Sequence, residues 1–289
     1  MNVLFKSCNV NISANIYFPE GDKKCPAIIC CHGFTGVKER FFPKLASELT
    51  KSGFAVLAFD YQNRGESEGE PRGEIDPNVF VENTRDAISF ILKNERVIKK
   101  RVGLFGVSFG GSIALQTAII DRRVACTVIA GPVTDSRRWL KSLRHPHDWE
   151  KLLDDIEQDR ENRSNGLLSK VIPAYDLMVP DPESLSQFKD ITSSEAERMS
   201  MMTNLKSAEN LINFYPERNV DRISPRSVLL IASPNDTIVP ADEAISTYEK
   251  CGQPKKIVFL PNDVSHWGVY EHQIVTENTK SWFNKFLVN

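Results

Sequence analysis

Near the middle of the chain a serine stands between two glycines, Gly106-Val107-Ser108-Phe109-Gly110, where an apolar run ends and a helical run begins. Val102 to Phe105 reads as a buried strand and Gly111 to Ile120 as a helix. A single residue must turn the chain between them, which forces a strained backbone, and side chains two residues before and two after it would collide. Glycines at both places remove that collision. The pattern therefore predicts a strand, a one-residue corner and a helix, with the serine hydroxyl lifted clear of the backbone. Alone, such a pattern arises by chance in about one chain in ten of this length. Its surroundings carry the rest of the argument.

Asp236 lies in Ser233-Pro234-Asn235-Asp236, just past the strand-like run Ser227 to Ala232, and His266 follows a second such run, Lys256 to Leu260. Ser108, Asp236 and His266 each fall at the carboxyl end of a predicted strand, where open α/β sheets hold their sites. Upstream, Pro26 to Cys31 reads as a buried strand ending in His32-Gly33-Phe34-Thr35-Gly36, and Phe54 to Phe59 as another, followed by Asp60-Tyr61-Gln62-Asn63-Arg64-Gly65-Glu66-Ser67. The order Ser, Asp, His, the elbow, the His-Gly loop and the Asp-x-x-x-x-Gly-x-Ser turn together resemble an α/β-hydrolase over nearly the whole chain. Within that superfamily the chain is similar to the small serine esterases, the dienelactone-hydrolase-like and X-prolyl-peptidase-like enzymes and the polyketide transferase group. These share a triad but not a substrate.

The resemblance implies roles. Ser108 attacks an acyl carbonyl, His266 takes its proton, and Asp236 orients the imidazole. Backbone N–H groups of Phe34 and Phe109 face the developing oxyanion. The implied reaction is cleavage of a carboxylic ester or related acyl bond of a small molecule through an acyl-enzyme. Acyl transfer or thioester cleavage in a biosynthetic pathway uses the same triad, and a non-catalytic ligand receptor is a third reading on this fold. None of these needs a cofactor. His32, opening its loop, is expected to fix that loop by hydrogen bonds rather than react. Asp263 is the alternative acid, but it shares a loop with His266 and lacks a preceding strand.

Elsewhere strands and helices alternate. Residues 1 to 18 alternate loosely in polarity and suggest an antiparallel strand pair. Phe41, Phe42, Leu45, Ala46 and Leu49 recur at helical spacing, as do Ala87, Ile88, Ile91 and Leu92. Such alternation predicts an α/β fold, a mostly parallel central sheet with helices on both faces. It stops after Val124 to Gly131. From Pro132 to Asn204 the chain turns helical and charged, with Trp149, Leu152, Leu153 and Ile156 on one face. The expectation is a core of residues 1–131 and 205–289 with a helical lid inserted at 132–204. Pro180-Asp181-Pro182 interrupts it, and Thr192-Ser193-Ser194-Glu195 has the spacing of a capping box that starts a returning helix. In the superfamily an insertion here lines the substrate pocket, which makes Trp139, Tyr175, Met178, Met199 and Met202 candidate walls.

A chain of 289 residues, 41% of them hydrophobic, buries one sizeable core. Lys and Arg number 36 against 38 Asp and Glu, so no basic surplus points to nucleic acid. No stretch approaches the roughly 18 apolar residues of a membrane span, and the N-terminus lacks a signal peptide's apolar core. The expected setting is the cytoplasm, with a small-molecule acyl substrate, no nucleic acid or membrane partner, and an oligomeric state left open. The six cysteines lack C-x-x-C pairs and are expected to be small buried hydrophobes. His145-Pro146-His147-Asp148 lacks further partners at ligand spacing, so no metal is expected.

Overall fold

The computed structural model describes residues 1–182, 184, 192 and 198–288. Strands β1 (Asn2–Ser7), β2 (Val10–Tyr17), β3 (Cys25–Cys31), β4 (Ala55–Phe59), β5 (Val97–Val107), β6 (Val124–Ala130), β7 (Val171–Pro173), β8 (Met202–Asn204), β9 (Ser227–Ala232) and β10 (Lys255–Phe259) form two sheets. The large one has eight strands in the order β1-β2-β4-β3-β5-β6-β9-β10. Every pairing from β4 to β10 is parallel; β1 with β2 and β2 with β4 are antiparallel. The expected mostly parallel sheet is therefore present.

Residue pattern and position agree. β3, β4 and β9 are buried along their whole length, as strands covered on both faces must be. Within β3, Ile29 and Cys31 join the core on one face while Ile28 and Cys30 join the core on the other. Helices α1 (Phe42–Lys51) and Gln273–Phe283 pack on the second of these faces through Phe42, Leu45, Trp282 and Phe283. Helices α2 (Pro77–Ile91) and α3 (Phe109–Ile120) cover the first through Phe80, Val81, Ile113 and Leu115. Asp76 starts α2 by accepting hydrogen bonds from Asn78 N and Val79 N. Five of the six cysteines are buried, but Cys8 is exposed. It occupies the two-residue turn of the β1–β2 hairpin, where Cys8 and Asn9 both take positive φ, 46° and 67°.

Between β6 and β9 the chain leaves the sheet. It forms α4 (Ser136–Ser142), α5 (Pro146–Ser164), α6 (Ala174–Leu177) and helix Leu205–Ile212, with β7 and β8 as a small antiparallel ribbon. On α5, Trp149, Leu152 and Ile156 face inward as their spacing predicts. Arg160 and Arg163 of α5 pair with Glu209 across to the later helix. The ribbon was not visible in the sequence, because three-residue strands carry no measurable period. Of the capping box beginning at Thr192, residues Ser193, Ser194 and Glu195 fall outside the described residues.

A buried ion cluster fixes the loops above the sheet. The Lys38 ammonium, wholly buried, contacts Asp60 at 2.9 Å and Glu66 at 2.7 Å. Burial would lower it, but the charges and hydrogen bonds of Asp60, Glu39 and Glu66 outweigh that and raise it instead. Asp60 also accepts from Lys38 N and Glu66 N, and Ser67 Oγ donates to Asp60 O. Gly65 sits at φ 53° with a Cβ position 2.2 Å from Asp60 Oδ2, so no other residue fits. The Asp-x-x-x-x-Gly-x-Ser turn is thus a carboxylate cage. It clamps the segment after β3 to the segment after β4. Among the described residues no helix is long and apolar enough to cross a membrane.

Candidate active site

Ser108 stands between β5 and α3 at φ 56°, ψ −129°, a conformation costing of order 1–3 kcal/mol that the surrounding chain must hold. The two glycines explain why it can. A Cβ on Gly110 would lie 2.0 Å from Cys31 O, and one on Gly106 would lie 2.4 Å from Gly110 O. Ser108 N donates to Ala130 O at 2.9 Å, and Val133 N and Gly111 N donate to Ser108 O. The corner is therefore locked from both neighbouring segments.

Its hydroxyl meets a line of buried groups. Ser108 Oγ is 3.1 Å from His266 Nε2, and His266 Nδ1 is 2.6 Å from Asp236 Oδ2. Asp236 Oδ1 accepts from Ile238 N at 3.0 Å and Val239 N at 2.7 Å. These bonds settle the protons: a carboxylate only accepts, so Nδ1–H donates to Asp236, Nε2 is left an acceptor, and the serine O–H donates to it. All three side chains are buried, and Ser233 Oγ donates to Val264 O, tying the Asp236 loop to the His266 loop. Asp263 is exposed, and His266 Nδ1 is already engaged by Asp236.

Phe34 and Phe109 come alongside the serine. Phe109 opens α3, so its N–H belongs to the unpaired first turn at the positive end of the helix dipole. Phe34 follows Gly33, whose Cβ position would lie 3.2 Å from Ser108 Cβ. The two phenyl rings pack edge to face at 5.9 Å. His32 holds this loop: its ring bonds Gly33 O at 2.9 Å and receives Tyr61 N at 3.5 Å.

Burial, with Arg64 and Lys38 nearby, pushes the His32 imidazole down to about 3 against the usual 6.5. The folded protein keeps this ring neutral where the unfolded chain takes up a proton. Its contribution to stability is complete above about pH 6.5 and drains as pH falls toward about 3, at roughly 1.4 kcal/mol per unit. From pH 7 to pH 5, urea unfolding of the wild type should lose about 2 kcal/mol more than unfolding of His32→Gln. Equal losses in the two proteins would refute the assignment.

The cavity over Ser108 has a volume of about 20 Å³, room for one water-sized guest. Met178 and Met199 line it, as do Arg40, Ile238, Trp267 and Tyr270, none of which the sequence singled out. Other expected walls lie elsewhere. Trp139 sits one layer behind, its ring edge-on to Phe34 at 5.7 Å and its Nε1–H donated to Ile238 O at 2.8 Å. Tyr175 is 43% exposed, because one-turn α6 turns Ala174 and Leu177 inward instead. Met202 is 50% exposed at the start of β8, whose Thr203 and Asn204 take the buried places. The missed residues have a common cause: they arrive from loops far apart in sequence and share no period.

Among the described residues, the carboxylates of Glu39, Asp60 and Glu66 lie close enough to hold a cation, but all three contact the Lys38 ammonium, which supplies the positive charge. His145 and His147 stand at the start of α5.

Comparison with known proteins gives the family. The family described as the alpha/beta hydrolase fold matches residues 26–273. The thiohydrolase aneE of Aspergillus aculeatus is 26% identical over 264 residues, 86% of this chain and 81% of that protein. The polyketide transferase grgF of Penicillium sp. is 27% identical over 251 residues, 84% of this chain and 81% of the relative. The solved structure of DcsB in complex with its substrate analogue matches with a TM-score of 0.86 at 22% identity, covering 100% of this chain and 99% of that one. With a family match across residues 26–273, most of its length, the chain belongs to the α/β hydrolase fold family.

Proposed function

We propose that the protein is a serine hydrolase that cleaves a carboxylic ester or thioester of a small acyl substrate through an acyl-enzyme on Ser108. The observation that carries this reading is the hydrogen-bonded line from Ser108 through His266 to Asp236. His266 Nε2 removes the serine proton as Oγ attacks the acyl carbon. The amides of Phe34 and Phe109 receive the negative oxygen, and the imidazolium, held by Asp236, returns the proton to the leaving group. Water activated by the same imidazole then releases the acid. Written so, the reaction needs no metal or cofactor.

Residues 132–204 act in this reading as the cap over the acyl pocket, an assignment supported by Met178 and Met199 at the cavity. Acyl transfer is the second reading. It is favoured by the relative named as a polyketide transferase, whose identity to this chain, 27%, is no lower than the 26% of the thiohydrolase. Two assays separate the readings. A fluorophosphonate probe should label the wild type, and absence of labelling would leave a ligand receptor. A series of p-nitrophenyl esters and acyl thioesters, run with and without an acceptor alcohol, should yield free acid. Ester product formed at the expense of acid would make the enzyme a transferase.

A further inference from the structure

Tyr270 lies in the one-turn helix Gly268–Glu271, four residues after His266. Its ring packs in a triangle with Phe41, at 4.2 Å between centroids, and Trp267, at 5.9 Å, which lie 6.4 Å from each other, and His266 is edge-on at 5.7 Å. Packed so, Tyr270 lines the cavity over Ser108. A Cβ on Gly33 would come within 2.4 Å of Tyr270 Oη and 3.6 Å of Ser108 Oγ, so the hydroxyl occupies the gap between the Gly33 backbone and the serine. Tyr270 and Ser108 line the same cavity, their hydroxyls facing each other beside the Gly33 backbone.

The direction of a hydrogen bond between these two hydroxyls follows from counting protons. The single serine proton is donated to His266 Nε2, because Nδ1–H is committed to Asp236. Oγ has only acceptor capacity left, so Tyr270 is the donor. Burial raises the phenol well above its usual value, so it keeps its proton through the neutral range.

We propose that Tyr270 is a catalytic residue, a third hydrogen-bond donor to the reacting oxygens beside the Phe34 and Phe109 amides. This rests on the serine hydrolase reading above. Before attack the phenol O–H steadies Ser108 Oγ. As the Oγ–C bond forms, the serine proton passes to His266 Nε2 and the carbonyl π pair moves onto oxygen. Oγ then gives up its charge to that oxygen, and the phenol swings its hydrogen bond to the oxyanion while keeping its own proton. The narrow gap at Gly33 holds it within reach of both atoms.

The test compares wild type, Tyr270→Phe and Ser108→Ala on a p-nitrophenyl ester that the wild type cleaves, with active sites counted by stoichiometric fluorophosphonate labelling. Tyr270→Phe keeps the packed ring and removes only the hydroxyl. Its kcat per labelled site should fall about 10²-fold with KM within about threefold, the loss typical of one oxyanion donor. Its affinity for an alkylboronic acid, which forms a tetrahedral adduct on the serine, should weaken by a similar factor. A purely structural role lowers the labelled fraction but not kcat per labelled site. A kcat within about threefold of wild type overturns the proposal, as does a loss of kcat with boronate affinity unchanged. Ester cleavage surviving in Ser108→Ala overturns the nucleophile reading instead, so the two failures are distinct.

Discussion

Ser108→Ala is expected to lower kcat by about 10⁴ to 10⁶ while the protein still folds. The large figure follows from the geometry: the hydroxyl alone reaches His266 Nε2, and nothing else in the line can form the covalent intermediate. Truncation removes one oxygen from a corner whose positive φ of 56° alanine tolerates no worse than serine. The backbone bonds that lock the corner, Ser108 N to Ala130 O and Val133 N to Ser108 O, do not involve the side chain. Steady-state rates with a p-nitrophenyl ester, alongside a thermal melt, decide the matter. A folded variant retaining more than about a tenth of the wild-type rate would remove Ser108 from the mechanism.

Asp236→Asn is expected to cost about 10⁴ in kcat with little change in fold. The amide keeps an oxygen to accept from Ile238 N and Val239 N, so the loop after β9 retains its bonds. What changes is the atom facing His266 Nδ1, now an NH₂ donor. It forces Nδ1 to accept, moves the imidazole proton to Nε2, and points that proton at the serine oxygen that must lose its own. The base is present but in the wrong tautomer. Rates compared with Asp263→Asn provide the control, since Asp263 is exposed and His266 Nδ1 is bonded to Asp236. If Asp263→Asn shows the larger loss, the acid has been misassigned.

The elbow and the strand-end positions of Ser108, Asp236 and His266 were legible because each rests on local chemistry. Gly106 and Gly110 are required by backbone atoms within 2.4 Å of where a side chain would begin, and such a requirement leaves its mark in the sequence. The cavity walls were not legible in the same way. Met178 and Met199 reach the cavity while Tyr175 and Met202, from the same insertion, turn to solvent. A one-turn helix and a three-residue strand decide which side faces in, and neither is long enough to announce its orientation by period. Tyr270 was overlooked because a tyrosine after the histidine carries no motif of its own. Its part depends on Phe41, Trp267 and Gly33, which arrive from other segments.

The sequence by itself determined the α/β class, the chain order and strand-end places of the three polar residues and the corner that lifts Ser108, because glycine placement, strand periodicity and chain order are properties of consecutive residues. Only the tertiary structure decided what surrounds that serine: the Lys38 clamp on Asp60, the neutral His32 beneath the loop, the narrow cavity and the phenol of Tyr270. Each of these depends on side chains brought together across 20 to more than 200 residues, at distances set by how the sheet twists and the loops pack, and no interval along the chain encodes a distance through space.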